Sequence, residues 1–516
     1  MLTFADAYLQ ETIGQLVMFD RVIFKGHLSG LYPVAKQFDW FLYRQDVLLK
    51  DFKEYAQQTT EKLKAHLQKM GEAAGCSIEY LPNGRGPKGE SKEELAQMRL
   101  LEKNHQEGLI AIFSALELKN CFTVRGNHKT HKLEPRVEQR KCLHYYLYFN
   151  DAEFGLMYAR IQSWWPFEIQ IYLNGHTWLA RQMDKAGIEY VQYDNCFLEI
   201  ADLEAAQKLC HKFAHRKWER LLNNFAKRLN PWLPAVRETV KQGYYWTVEQ
   251  CEIATDVMFT STDKLDELLP ELFQETLLIT SAEDVMRFLG RKLSPQFQGK
   301  VESKLNKRRE GWRIKHWVKQ NSLKMYNKGS VLRVETTINN SGEFKIPNSQ
   351  GKKPRWKRMP KGIAWFWHFY NSGKEANQRY LNSLSHISCQ GKTALDALDS
   401  LCRSQEMDGR PIAKFQPISP ETCRLFQAVL NSKYALTGFR NRHIRQELFG
   451  ETVLHKQAER RLCARVSRLL RKLRGHGLIE RVKHSHLYRV TDFGYQAMSA
   501  ALRYRYVEYP SNFASA

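Results

Sequence analysis

The chain has 516 residues, with 79 Lys plus Arg against 55 Asp plus Glu and a formal net charge of +24. Its 43% hydrophobic and 12% aromatic content is enough for packed cores and argues against a mostly disordered chain. No stretch approaches the roughly 18 apolar residues of a membrane helix, no basic segment with an apolar run opens the chain, and the ten cysteines include no CxxC pair. The expectation is a cytoplasmic, nucleoid-associated protein with no membrane partner.

Taken in chain order, residues 1–140 read as an N-terminal α/β region. Residues 15–28 (QLVMFDRVIFKGHL) are rich in Val, Ile and Phe and predict a strand, 45–75 predict a helix, and a Gly/Pro/Lys loop at 81–94 leads into a helix ending near 104. GLIAIFSALE (108–117) predicts a short buried element, and 126–141 an exposed polar stretch. Residues 141–205 predict a β-meander plus helix. Its strands are CLHYYLYF (142–149), FGLMYARIQSWW (154–165) and FEIQIYL (167–173); Asn174-Gly175, a helix over 176–186 and a strand over 188–193 follow. Residues 206–300 are expected to be mainly helical. Residues 301–412 form a basic region, with strands over 311–340, a loop at 348–361 and helices beyond. Pro417 and Pro420 mark a linker. The fold class expected is α+β and multidomain, with mixed sheet and helical modules and a C-terminal winged helix-turn-helix over 418–508.

That last expectation rests on three predicted helices followed by a hairpin. The third helix, 457–474, carries Leu462, Val466, Leu469, Leu470 and Leu473 at helical spacing. Arg461, Arg465, Arg468 and Lys472 repeat on the other side, and LIERVKHSHLYRVT (478–491) predicts the hairpin, with Lys483 at its tip. This pattern resembles the winged helix-turn-helix domain, most closely MarR-like regulators. The resemblance implies that the third helix enters the major groove of DNA.

The positive charge is concentrated. Residues 291–361 hold 20 cations and 4 acids, and residues 436–516 hold 16 and 6, so the remaining 364 residues sum to about −2. Two basic blocks are the footprint of a phosphate-backbone binder. Candidate nucleic-acid contacts are Arg308, Arg309, Arg313, Lys315, His316, Arg333, Lys352, Lys353, Arg355, Lys357 and Arg358 in the first block. Arg461, Arg465, Arg468, Lys472 and Lys483 are the candidates in the second. The expected partner is DNA, with RNA as the alternative, and a homo-oligomer is compatible with the sequence.

NSLKMYNKGSVLRVETTINN (321–340) predicts a hairpin turning at Asn327–Ser330. Tyr326, Lys324, Lys328 and Glu335 on one small hairpin suggest a phenolate nucleophile, cations to offset phosphate charge and a carboxylate for a divalent ion. The stretch resembles the replication-relaxation family of rolling-circle initiators and relaxases. That resemblance implies Tyr326 as nucleophile, Lys324 as the basic residue two before it and Glu335 as the return-strand carboxylate. Position 324 is Lys where the family usually has Arg, and the family's remaining metal ligands have no counterpart in the sequence. Over its whole length the chain also resembles a widespread bacterial family of similar length, through FDRVIFKGHL (19–28), SWWPF (163–167), LNGHTWLA (173–180), YDNCF (193–197) and ATDVMF (254–259).

Asp20 in an apolar strand, Asp194 after another and Asp256 in an expected helix are acids in apolar surroundings. With Glu335 they are candidate ligands for Mg²⁺ or Mn²⁺ in a metal-dependent nuclease centre. His211 and His215 stand at zinc-compatible spacing, but a polar helix face is the better expectation. Trp164, Trp165, Phe167 and Trp178 fit a core role better than base stacking. No phosphate loop or dinucleotide fingerprint occurs, so no nucleotide or NAD site is expected. The functional expectation is a DNA-processing protein of a mobile-element or replication type. The alternatives are a non-catalytic winged-helix regulator or an RNA-binding or RNA-guided nuclease component.

Overall fold

The computed structural model describes residues 3–31, 35–278, 282–290, 300–308, 311–348, 355–385, 392–407, 409–434, 438–450, 456–482 and 485–508. The chain begins α1 (Phe4–Ala7), β1 (Thr12–Leu28), α2 (Ala35–Arg44), α3 (Phe52–Ala73), β2 (Ile78–Tyr80), α4 (Lys92–Glu102), β3 (Gly108–Asn127), β4 (Lys132–Asp151), β5 (Gly155–Gln162) and β6 (Ile169–Asn174). It continues through α5 (Gly175–Ala186), β7 (Tyr190–Tyr193), β8 (Cys196–Ile200), α6 (Leu203–Ala214), α7 (Trp218–Leu229), α8 (Leu233–Val240), β9 (Tyr244–Phe259), α9 (Thr262–Leu278) and α10 (Ala282–Phe288). Then come β10 (Val301–Arg308), β11 (Gly311–Val318), β12 (Asn321–Lys328), β13 (Val331–Ile338), β14 (Lys345–Asn348), β15 (Arg355–Arg358), α11 (Phe366–Ser383) and α12 (Lys392–Leu401). The C-terminal part holds β16 (Gln405–Met407), β17 (Arg410–Ile412), α13 (Pro420–Leu430), α14 (Asn441–Phe449), α15 (Lys456–Gly475), β18 (Ile479–Arg481), β19 (Tyr488–Val490) and α16 (Asp492–Arg503). The fold is α+β.

Two compact units emerge, each discontinuous in sequence. The first comprises Met1–Gln15, Asp256–Val334 and Glu375–Ala516; the second comprises Leu16–Thr255 and Glu335–Lys374. The chain crosses the boundary within β1, β9, β13 and α11.

In the second unit the strand order is β13-β9-β1-β6-β5-β4-β3-β2. Pairing is antiparallel from β1 through β6, β5 and β4 to β3, and β2 joins β3 in parallel. Helices α6 and α11 lie against β1. Gln207 of α6 bonds both backbone groups of Val17 at 2.9 Å, and Tyr370 of α11 donates to the Val17 carbonyl at 3.0 Å. Phe19 stacks on Phe366 with centroids 4.4 Å apart. Asn174 caps α5 by accepting from the Thr177 N–H, and Gly187 ends it in the left-handed region.

The first unit orders its strands β10-β11-β12-β13. Ile314, Leu323, Met325, Leu332 and Val334 point to a core completed by Leu265, Leu272, Phe288 and Tyr380. Farther along, α13, α14, α15, the β18–β19 hairpin and α16 share a second core that includes Phe426, Ile444, Val466, Leu470, Leu473 and Met498. The order of elements expected for 418–508 is therefore present, and the leucine stripe of α15 faces inward.

Four local expectations need correction. GLIAIFSALE opens a twenty-residue strand; the polar stretch after it is largely exposed, as expected, and forms the distal half of the β3–β4 hairpin, paired as far as Asn127 and Lys132. Residues 244–259, expected as helix, form β9. Its second half is buried on both faces and reads as one apolar run, a pattern that periodicity does not separate from a buried helix. Part of the basic loop at 348–361 is β15, paired with β14. The β16–β17 hairpin interrupts the expected helices before 412.

Candidate metal centre and nucleic-acid surfaces

Three strands that are neighbours in the second unit each supply one buried acid: Asp20 on β1, Glu252 on β9 and Glu335 on β13. One carboxylate oxygen from each lies within 4.8 Å of the other two, the only such group among the described residues. Asp20 is 1% exposed and Glu335 2% exposed. Three carboxylates so close in a water-poor interior repel one another, and a bound cation, a shared proton or a neighbouring base such as Arg21 offsets that repulsion.

Asp20 is held at both oxygens. His176 Nδ1 donates to Oδ1 at 2.6 Å, and Asn195 Nδ2 donates to Oδ2 at 3.0 Å. His176 reaches it because α5 starts hard against β1. A Cβ at Gly175 would lie 2.1 Å from the Phe19 carbonyl oxygen, so only glycine allows this approach. Thr337 Oγ1 lies 3.4 Å from Glu252 Oε1. An all-oxygen donor set of this kind suits Mg²⁺ or Mn²⁺.

Of the predicted acids, the structure brings Asp20 and Glu335 together and adds Glu252, which the helical reading of β9 concealed. Two others are corrected. Asp194 is exposed in the β7–β8 turn at φ 55°, and its neighbour Asn195 is the residue that reaches Asp20. Asp256 is fully buried in the first unit, 3.3 Å from the equally buried Arg333. That ion pair also removes Arg333 from the nucleic-acid contacts. His316 is likewise a core residue. It is 0% exposed, within 2.7 Å of Ser303 Oγ and 3.3 Å of Tyr380 OH, and burial pushes its pKa down to about 4.

The remaining central cations gather on one face of β10–β12. The register sets Lys304, Lys315 and Lys324 in one row and Asn306, Arg313 and Tyr326 in the next. Arg313, Lys315, Lys324 and Tyr326 are half-buried, and the Lys315 ammonium lies 4.7 Å from the Trp317 ring centre. Lys328 is buried at the strand end. Arg308 and Arg358 are exposed, Lys357 lies 3.9 Å from the Trp365 ring centre, and Arg355 sits opposite Asn348 in the β14–β15 pair. Arg309, Lys352, Lys353 and Lys483 lie outside the described residues.

On α15, Arg461, Arg465 and Arg468 are exposed. Lys472 is half-buried, 4.1 Å from the Phe415 ring centre, and burial holds its pKa below the usual lysine range. Trp165 and Phe167 are fully buried, while Trp164 and Trp178 donate to the Phe122 carbonyl and to Glu153. His144 is buried and pushed down to about 4 by burial. His211 and His215 are exposed on α6, where His215 Nδ1 bonds the His211 carbonyl.

Comparison with protein-family models, with curated proteins and with solved structures finds no match to the chain.

Proposed function

We propose that this chain is a nucleic-acid-processing protein, with DNA as the expected substrate. In this reading Asp20, Glu252 and Glu335 hold a divalent cation for phosphodiester cleavage or strand transfer. The observation that carries the reading is the buried carboxylate group, set in a chain of net charge +24. When bound, such an ion would polarise a phosphoryl oxygen and activate the attacking oxygen. His176 and Asn195 fix the orientation of Asp20, as outer partners of metal ligands do. The lysine rows of β10–β12 and the arginines of α15 would take the phosphate backbone. The helix and hairpin order of 420–503 supports a winged-helix reading, with α15 in the major groove.

A second reading keeps Tyr326 as a nucleophile that forms a phosphotyrosine link. Its half-buried position opposite Arg313 favours it.

The test is incubation of labelled single- and double-stranded DNA with protein and Mg²⁺ or Mn²⁺, read on a denaturing gel. Wild type, Glu335→Gln and Tyr326→Phe run side by side. Cleavage lost only in Glu335→Gln supports the metal centre. A protein-linked product lost in Tyr326→Phe supports the tyrosine route. Salt-sensitive binding with no cleavage of any substrate overturns both in favour of a regulator.

A further inference from the structure

A cavity of roughly 540 Å³ at the start of α7 has no role in that reading. Its walls come from 214–223 and 363–367, all in the second unit. Three features converge there. The twelve-residue helix α7 has Lys217 at its N-cap and no side-chain cap; the Trp218 N–H donates to the Arg216 carbonyl at 2.9 Å, and the N–H groups of Glu219 and Arg220 leave partial positive charge at the helix start. Lys217 and Arg220 are exposed in the same wall, with one exposed acid, Glu219, between them, while Arg216 is committed to a bidentate pair with Glu153. Trp218 lines the cavity at 2% exposure, and its Nε1–H finds no acceptor among the described residues. A buried donor in that state is costly unless something else supplies the acceptor.

The other wall presents a flat ring. Trp367 is 38% exposed and is backed by His368 at a centroid distance of 3.7 Å. The cavity also adjoins the strand of the metal centre. Phe366 and Trp218, both wall residues, pack on Phe24 at 5.3 and 5.2 Å, and Phe366 stacks on Phe19, the residue before Asp20.

We infer that this cavity seats one nucleotide of the bound nucleic-acid strand. Its phosphate lies at the α7 N-terminus between Lys217 and Arg220, and its base rests against Trp367. Phosphate supplies the acceptors that an uncapped helix start and two cations call for; an exposed indole ring is a stacking platform for any base. The inference rests on the reading that the substrate is nucleic acid.

The test uses the full chain and a short single-stranded oligonucleotide carrying 5-iodo-2′-deoxyuridine. Irradiation should form an adduct mapped by mass spectrometry to residues 361–374. The adduct should be absent in Trp367→Leu. Lys217→Ala with Arg220→Ala, both on the surface, should weaken oligonucleotide binding about tenfold without changing the circular dichroism. Adducts confined to other segments, together with unchanged affinity in the double variant, overturn the proposal. Cleavage assays on the same proteins separate the two readings. An adduct at Trp367 without any metal-dependent cleavage leaves the cavity standing and removes the metal reading. Cleavage with a KM unaffected by the double variant does the reverse.

Discussion

The strands β10–β12 and the trio β1, β9 and β13 use the same period-two geometry for opposite ends. In the first group cations occupy the half-buried face and apolar side chains the core face. In the second, acids occupy the interior. The difference teaches where to look for chemistry. The surplus charge of the chain marks surfaces that attract a polyanion at long range. Of the acids proposed to hold a cation, Asp20 and Glu252 come from the part of the chain that is almost neutral overall, and Glu335 is one of only four acids in the first basic block.

The largest expected effect tests how strictly the interior tolerates a lone charge. Arg333→Met leaves Asp256 buried beside an apolar side chain and should destabilise the first unit by roughly 3–5 kcal/mol. Denaturant unfolding measures this, and adding Asp256→Leu should recover much of the loss. Next, Glu335→Gln should lower divalent-ion-dependent cleavage about a hundredfold. Mn²⁺ should raise the Tm of the wild type and not of the variant, and the reverse pattern would sink the metal reading.

A third effect concerns pH. His144 and His316 have folded pKa values near 4 against about 6.5 unfolded. Between those values only the unfolded chain binds the proton, so stability is whole above pH 6.5 and falls as pH drops towards 4. The loss is about 2 kcal/mol per histidine at pH 5. The unfolding slope between pH 7 and 5 should flatten in His316→Gln. The smallest effect sharpens the contrast from the basic side. Lys315→Ala with Lys324→Ala should weaken DNA binding about tenfold and reduce the salt slope by roughly 2, with Tm unchanged.

The elements of 420–503 follow from the sequence because each helix there is amphipathic and ends at a glycine or a turn. The β4–β6 meander alternates clearly for the same reason: one period dominates. The centre was half legible. Asp20 and Glu335 stand out as acids inside apolar strands, but Glu252 lies in β9, where burial on both faces erases the alternation that would identify a strand. Asp194 was one residue from the mark. Asn195 is the side chain the tight β7–β8 turn sends inward, and turn geometry of that kind is set by backbone pairing across Tyr193 and Cys196. Arg333 and His316 counted as surface cations only because composition carries no information about which face of a strand is covered.

The three acids come from positions 20, 252 and 335, so the carboxylate group forms only when widely separated parts of the chain meet. During synthesis, a nascent chain remains without its third acid until Glu335 has emerged from the ribosome, well past the middle of translation. If the proposed metal-dependent cleavage holds, every prematurely terminated product that stops before that point is silent. Released fragments ending near residue 330 should bind no Mn²⁺ at this centre and cut nothing, which a calorimetric titration and a cleavage assay on such fragments would check.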